Sequence, residues 1–155
     1  MIYALNMADG SVAIMQTVGD ATPEDCLAKW HPDQQAKVVS RAQIQQSDIP
    51  ADRTFRNAWS HDGKQFSVDM VKAVEIHKNK LRVLRAPLMA ALDTQFMRAL
   101  ESGDIKAQQD IAVKKQALRD VTAYPAIALA ETPEQLKAAI PPVLLESNIL
   151  GSYEV

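Results

Sequence analysis

The residues of this chain that could do chemistry are three histidines, one cysteine and nineteen acidic side chains. A cysteine nucleophile needs a histidine beside it and a third group to orient that histidine. Cys26 has His31 five residues on, and helical geometry puts that spacing near opposite faces. The expectation is a buried or idle thiol, and a single cysteine cannot form an intrachain disulfide. His31, His61 and His77 make no HxH or HExxH spacing, so no local motif supports a metal. The five glycines stand singly and build no phosphate loop, and there is no GxSxG elbow. Asp9, Asp48, Asp62 and Asp69 are scattered, and nothing spaces two of them for acid–base work. These patterns predict a non-enzymatic chain with no cofactor, no metal and no small-molecule substrate.

Partner binding is the chemistry left, and six residues carry that expectation. Phe55 and Trp59 are four apart, close enough to meet on one helical turn. They read either as anchors of a connector to the core or as an exposed aromatic patch for a partner. His77, Leu81, Leu84 and Leu88 belong to a stripe that runs Met70, Val74, His77, Leu81, Leu84, Leu88. Its steps of four and three are heptad spacing. The stripe reads either as the chain's own hairpin core or as a seam for a partner, and His77 reads as a hydrogen-bonded seam residue.

The elements that must position these residues follow from local pattern. Residues 2–16 alternate as a hairpin, with Tyr3, Leu5 and Met7 on one side and Asp9-Gly10 as a two-residue type I′ turn. Thr22-Pro23-Glu24-Asp25 opens a short helix with an N-cap, a proline at the first position and a near capping box. His31-Pro32 ends it. Residues 36–46 read as a third strand. The expected fold is α+β: a small ββαβ unit over 1–48, a connector over 49–66, a long antiparallel helical hairpin over 67–122, and a docked tail with a short helix over 123–155. Ser67 is the expected N-cap of the first long helix. Pro87 predicts a kink or break near Arg85–Ala86. Gly103 stops the helix and Asp104 caps the next one, over 105–121. An Asp120 pairing with Arg82 or Arg85 would clip the hairpin. Thr132-Pro133-Glu134-Gln135 reads as a true capping box around Leu136 and Ala139.

Composition narrows the function classes. Seventeen Lys and Arg against nineteen Asp and Glu give a net charge of −2, too balanced for a general nucleic-acid binder. Lys78, Lys80, Arg82 and Arg85 concentrate positive charge, but with no aromatic interleaving they read as a solvated face. No apolar run approaches the roughly 18 residues of a membrane helix, and the N-terminus lacks the pattern of a secretory signal. The expectation is no nucleic acid and no membrane.

Three segments occur in a familiar order: IHKNKLRVLRAPLMAALD, then KKQALRDVTAYPAI, then TPEQLKAAIP. Together they resemble the C-terminal part of tailed-phage tail-fibre assembly proteins. They are still more similar to small proteins encoded near tail genes of phages and prophages. The shared feature is a basic helix leading to a second helix with a QALRD core, here Gln116, Ala117, Leu118, Arg119 and Asp120, followed by a proline. IPADRTFRNAW, residues 49–59, resembles the lead-in of those small proteins. One departure stands out: assembly proteins place a short Trp-containing polar segment between the helices, where this chain continues through LDTQFMRALESGD. The resemblance carries no catalytic residues. It implies a structural protein of the virion tail or tail-fibre apparatus, or else a tail-fibre assembly chaperone absent from the finished particle. Its partners would be other phage tail or fibre proteins, with a short homo-oligomeric seam also open. Its location would be the host cytoplasm during assembly, and the virion if it is structural.

Overall fold

The structure is a computed structural model that describes residues 1–145, and its class is mixed α+β. The chain divides into two compact units, Met1–Ala73 and a second beginning at Val74.

The first unit is built on three antiparallel strands, β1 (Ile2–Met7), β2 (Val12–Gln16) and β3 (Val38–Ile44), in the order β2-β1-β3. Because β1 is central, its burial is two-sided: Tyr3, Ala4 and Leu5 are all buried. Tyr3, Leu5 and Met15 form an apolar cluster on one face, joined by Leu27, Trp30 and Cys26. Leu27 and Cys26 belong to helix α1 (Pro23–Leu27). The register shifts at Asn6/Met7, so Ser40 pairs with Asn6 but Val38 with Met7. That bulge takes Val38 off the Ser40–Ala42–Ile44 row and into the Tyr3 cluster.

The hairpin is where the sequence places it, but its turn differs. The Gly10 N–H donates to the Met7 carbonyl at 2.9 Å, making Ala8 and Asp9 the central residues. Gly10 follows with φ +73°. The turn is therefore three residues with a left-handed glycine at its end, not a type I′ Asp-Gly pair. The α1 capping box is complete: Asp25 N–H donates to Thr22 Oγ1 at 3.2 Å, and Thr22 N–H donates to the Asp25 carboxylate at 2.9 Å. Asp is short, yet it reaches. His31-Pro32 does not lead straight to a strand; Pro32 opens a further turn of helix, α2 (Pro32–Gln35).

Residues 49–66 do not form a plain connector. They hold β4 (Trp59–His61) and the start of β5 (Phe66–Val68), an antiparallel pair with Trp59 opposite Val68 and His61 opposite Phe66. The Asp62 carboxylate accepts the N–H groups of Lys64 and Gln65 and closes the turn. Ser67 lies inside β5, its hydroxyl 2.7 Å from that of Ser60, so it does not cap the long helix. Asp69 does, accepting the N–H groups of Val71 and Lys72 at 3.0 and 3.2 Å. An aspartate there also opposes the positive end of the helix dipole.

The long helix α3 (Met70–Glu101) is helical throughout, with Pro87 inside it. Of the kink or break expected at Pro87, the break does not occur. Proline leaves the Val83 carbonyl without its helical donor, but Pro87 and Val83 are both exposed. Water can satisfy that carbonyl, and the helix continues. At its end the Asp104 N–H donates to Ala99 and the Gly103 N–H to Leu100, with Gly103 at φ +67°. This is a Schellman stop. Asp104 then caps α4 (Ile105–Arg119), accepting the Ala107 N–H at 2.9 Å.

The two helices run antiparallel. Gln108 donates to the Ala99 carbonyl, Lys115 pairs with Asp93 at 2.5 Å, and Arg85 reaches Leu118 and Arg119. Arg85 does not pair with Asp120. Its guanidinium donates to the last carbonyls of α4, while Asp120 accepts from Gln116. A 3-10 turn (Asp120–Ala123) leads to α5 (Pro125–Leu129), α6 (Pro133–Ala138) and α7 (Pro142–Leu145). Each short helix begins on a proline, so Pro125 and Pro142 start helices as well as interrupting what precedes them. Thr132 caps α6 as expected, but the Gln135 side chain accepts the Glu131 N–H rather than that of Thr132. Ile127, Leu136, Ala139 and Leu144 are buried, which docks the tail as far as residue 145. Ile149 and Leu150, expected on the same tail, lie outside the described residues.

Candidate interaction surface

The six residues singled out from sequence fall into two interiors. In the first unit Phe55 and Trp59 are 4% and 2% exposed. Trp59 is held on β4, and its ring meets Phe66 edge-on with centroids 5.5 Å apart. His61, two residues along the strand, also meets Phe66 edge-on, with centroids 4.8 Å apart. These aromatics are packed inside the unit; they do not make an exposed patch.

In the second unit His77, Leu81 and Leu84 are buried on α3, and Leu88 is half-buried. Ile111 and Leu118 of α4 and Val121 beyond it are buried too. The stripe is thus the interior row of the hairpin. It continues through Leu92, Phe96 and Ala99, with Leu100 turned outward. The Lys115 ammonium closes the far end, 5.4 Å from the centre of the Phe96 ring. His77 is a seam residue that also makes a polar contact, its Nε2 lying 3.0 Å from the carbonyl of Ala139. A carbonyl only accepts, so Nε2 carries the proton. Burial holds the His77 pKa below the usual imidazole value, the bond to Ala139 opposes that, and Lys80 adds to the lowering.

What α3 leaves in solvent is a second row. Val83, Ala86, Pro87, Ala90, Thr94 and Met97 are exposed and uncharged. The positions 83, 87, 90, 94 and 97 step by four and three, and lie on the side of the helix away from Leu81, Leu84 and Leu88. At 1.5 Å per residue the row is about 21 Å long. Leu100 and Ile105, on either side of the Gly103 turn, are 51% and 67% exposed. In the sequence the leucines outweigh this row, because alanine, proline and threonine give a weak apolar signal. The absence of any charge at those six positions is the one clue to it.

Among the described residues no group of three or more His, Cys, Asp or Glu side chains is placed to hold a metal ion. No described helix is long and apolar enough to cross a membrane. Cys26 is half-buried against the Tyr3 cluster, and the His31 imidazole is turned to solvent, accepting the Asp33 N–H. Compared with known proteins, the chain matches no family model, no curated protein and no solved structure.

Proposed function

We propose that this chain is a non-enzymatic structural protein of a bacteriophage tail or tail-fibre apparatus, acting by docking onto other tail or fibre proteins. The observation that carries the docking is the exposed, charge-free row Val83–Pro87–Ala90–Thr94–Met97, opposite a row already used for the chain's own core. An apolar helix face with heptad steps fits a groove or bundle of neighbouring helices. The assignment to a phage tail is supported by the resemblance of residues 49–141 to small tail-region proteins. A standard interface needs on the order of 800 Å² from each partner. Six side chains supply less than that, so the partner must also touch residues beyond the row.

The test is quantitative mass spectrometry of purified particles. A virion component gives peptides at a fixed small multiple of a known tail protein. Abundance in the lysate with none in particles favours an assembly chaperone, and the docking surface would then hold an unassembled fibre.

A further inference from the structure

The two buried histidines differ in what a second proton would do. His77 donates from Nε2 to the Ala139 carbonyl, a bond that an imidazolium keeps. His61, 5% exposed, has no such outlet. Its Nδ1 accepts the Gly63 N–H at 3.1 Å, so the neutral ring carries its proton on Nε2. That Nε2 is buried with no hydrogen-bond partner among the described residues. A proton added at Nδ1 would face the Gly63 N–H, donor against donor, and leave a buried cation with no acceptor.

The groups around His61 offer little relief. Asp62, its chain neighbour, carries the nearby negative charge, but that carboxylate is occupied by Lys64 and Gln65 N–H groups and lies in solvent, where its field is screened. Lys64, in the same turn, is exposed. From β5 comes the Phe66 ring, and from β1 the neutral amide of Asn6, which donates to the His61 carbonyl at 3.0 Å. β2, which also packs near β4, has the sequence VAIMQ and no titratable side chain.

We propose that His61 is an acid-operated latch on the β4–β5 hairpin: protonation at Nδ1 releases the Gly63 amide, unpairs the two short strands and uncovers Trp59 and Phe66. Each strand is only three residues long, so with the Gly63 bond gone the pair rests on the Asp62 contacts to Lys64 and Gln65 and a few ladder bonds. The exposed carboxylates Asp9, Glu24, Asp25 and Asp62 have pKa values held below their ordinary 3.8 or 4.5 by hydrogen bonds, chiefly to Ser11, Arg41, Thr22 and the Gln65 amide respectively.

The experiment uses the full chain with Trp30→Phe, which makes Trp59 the sole indole. Trp59 emission and the Gly63 amide-exchange protection factor are followed from about pH 7.5 to pH 5. The latch predicts a red shift and at least a tenfold fall in Gly63 protection beyond whatever fall α4 amides show through His77. His61→Asn offers an oxygen to Gly63 that does not titrate, and should abolish both changes. Constant Gly63 protection in the parent, or the same fall in His61→Asn, overturns the proposal. Should His61→Asn not fold, the comparison within the parent decides: a loss of protection at least tenfold greater in the hairpin than in α4 supports the latch, and an equal loss in both contradicts it.

Discussion

At the residue scale, His77 links the stability of the second unit to pH in one direction. Its folded pKa is depressed below 6.5, chiefly by burial, so the unfolded chain takes up the proton first. Stability is full above about pH 6.5 and falls as pH drops through the window between the unfolded and folded values. Denaturant unfolding followed through α4 should show that loss, and His77→Leu should flatten it. At neutral pH the same substitution leaves the buried Ala139 carbonyl without its donor, a cost of about 1–3 kcal/mol. A second pair of substitutions separates the two rows of α3. Leu84 is 4% exposed and Val83 is 72% exposed. Leu84→Asp buries an unpaired carboxylate and should cost more than about 4 kcal/mol, enough to unfold the hairpin. Val83→Asp should change stability by no more than about 0.5 kcal/mol, as read by thermal melting.

At the element scale, the hairpin depends on a stop that glycine suits best. Gly103 sits at φ +67° with open space where a Cβ would project. Gly103→Ala should therefore cost only the backbone penalty of a left-handed alanine, about 1–2 kcal/mol, with no change in the helical content measured by circular dichroism. This stop was legible from Gly103-Asp104 alone, as was the Thr22 cap, because each is set by one or two residues acting locally. The interior row of α3 was legible because its leucines keep one period over many turns. The β4–β5 pair was not: three-residue strands show no period, and their pairing depends on Asp62 folding back on Lys64 and Gln65. That Pro87 does not end the helix was not legible either, for a related reason. A proline's effect depends on whether its orphaned carbonyl meets water, and that is fixed by which side of the helix the hairpin buries. Of the expected contact residues, Phe55, Trp59, His77, Leu81 and Leu84 are interior, because strong apolar side chains mark a chain's own core first. A surface for partners is written in weaker residues.

At the scale of the whole molecule, the docking proposed above would use a different face of α3 from the one that folds the hairpin. One row of α3 closes on α4 and the C-terminal helices, and the opposite row is left without charge. If that second row is what enters a tail assembly, changing it should alter assembly and nothing else. The deciding measurement is incorporation of Val83→Asp/Met97→Asp into particles, by quantitative mass spectrometry against a known tail protein, with the parent chain supplied in parallel. Both residues are more than half exposed, so the double variant should melt within a few degrees of the parent. Docking through this row predicts stoichiometric incorporation of the parent and at least a tenfold loss for the folded double variant. Equal incorporation of the two would contradict docking through the row, and absence of the parent from particles would contradict a structural role.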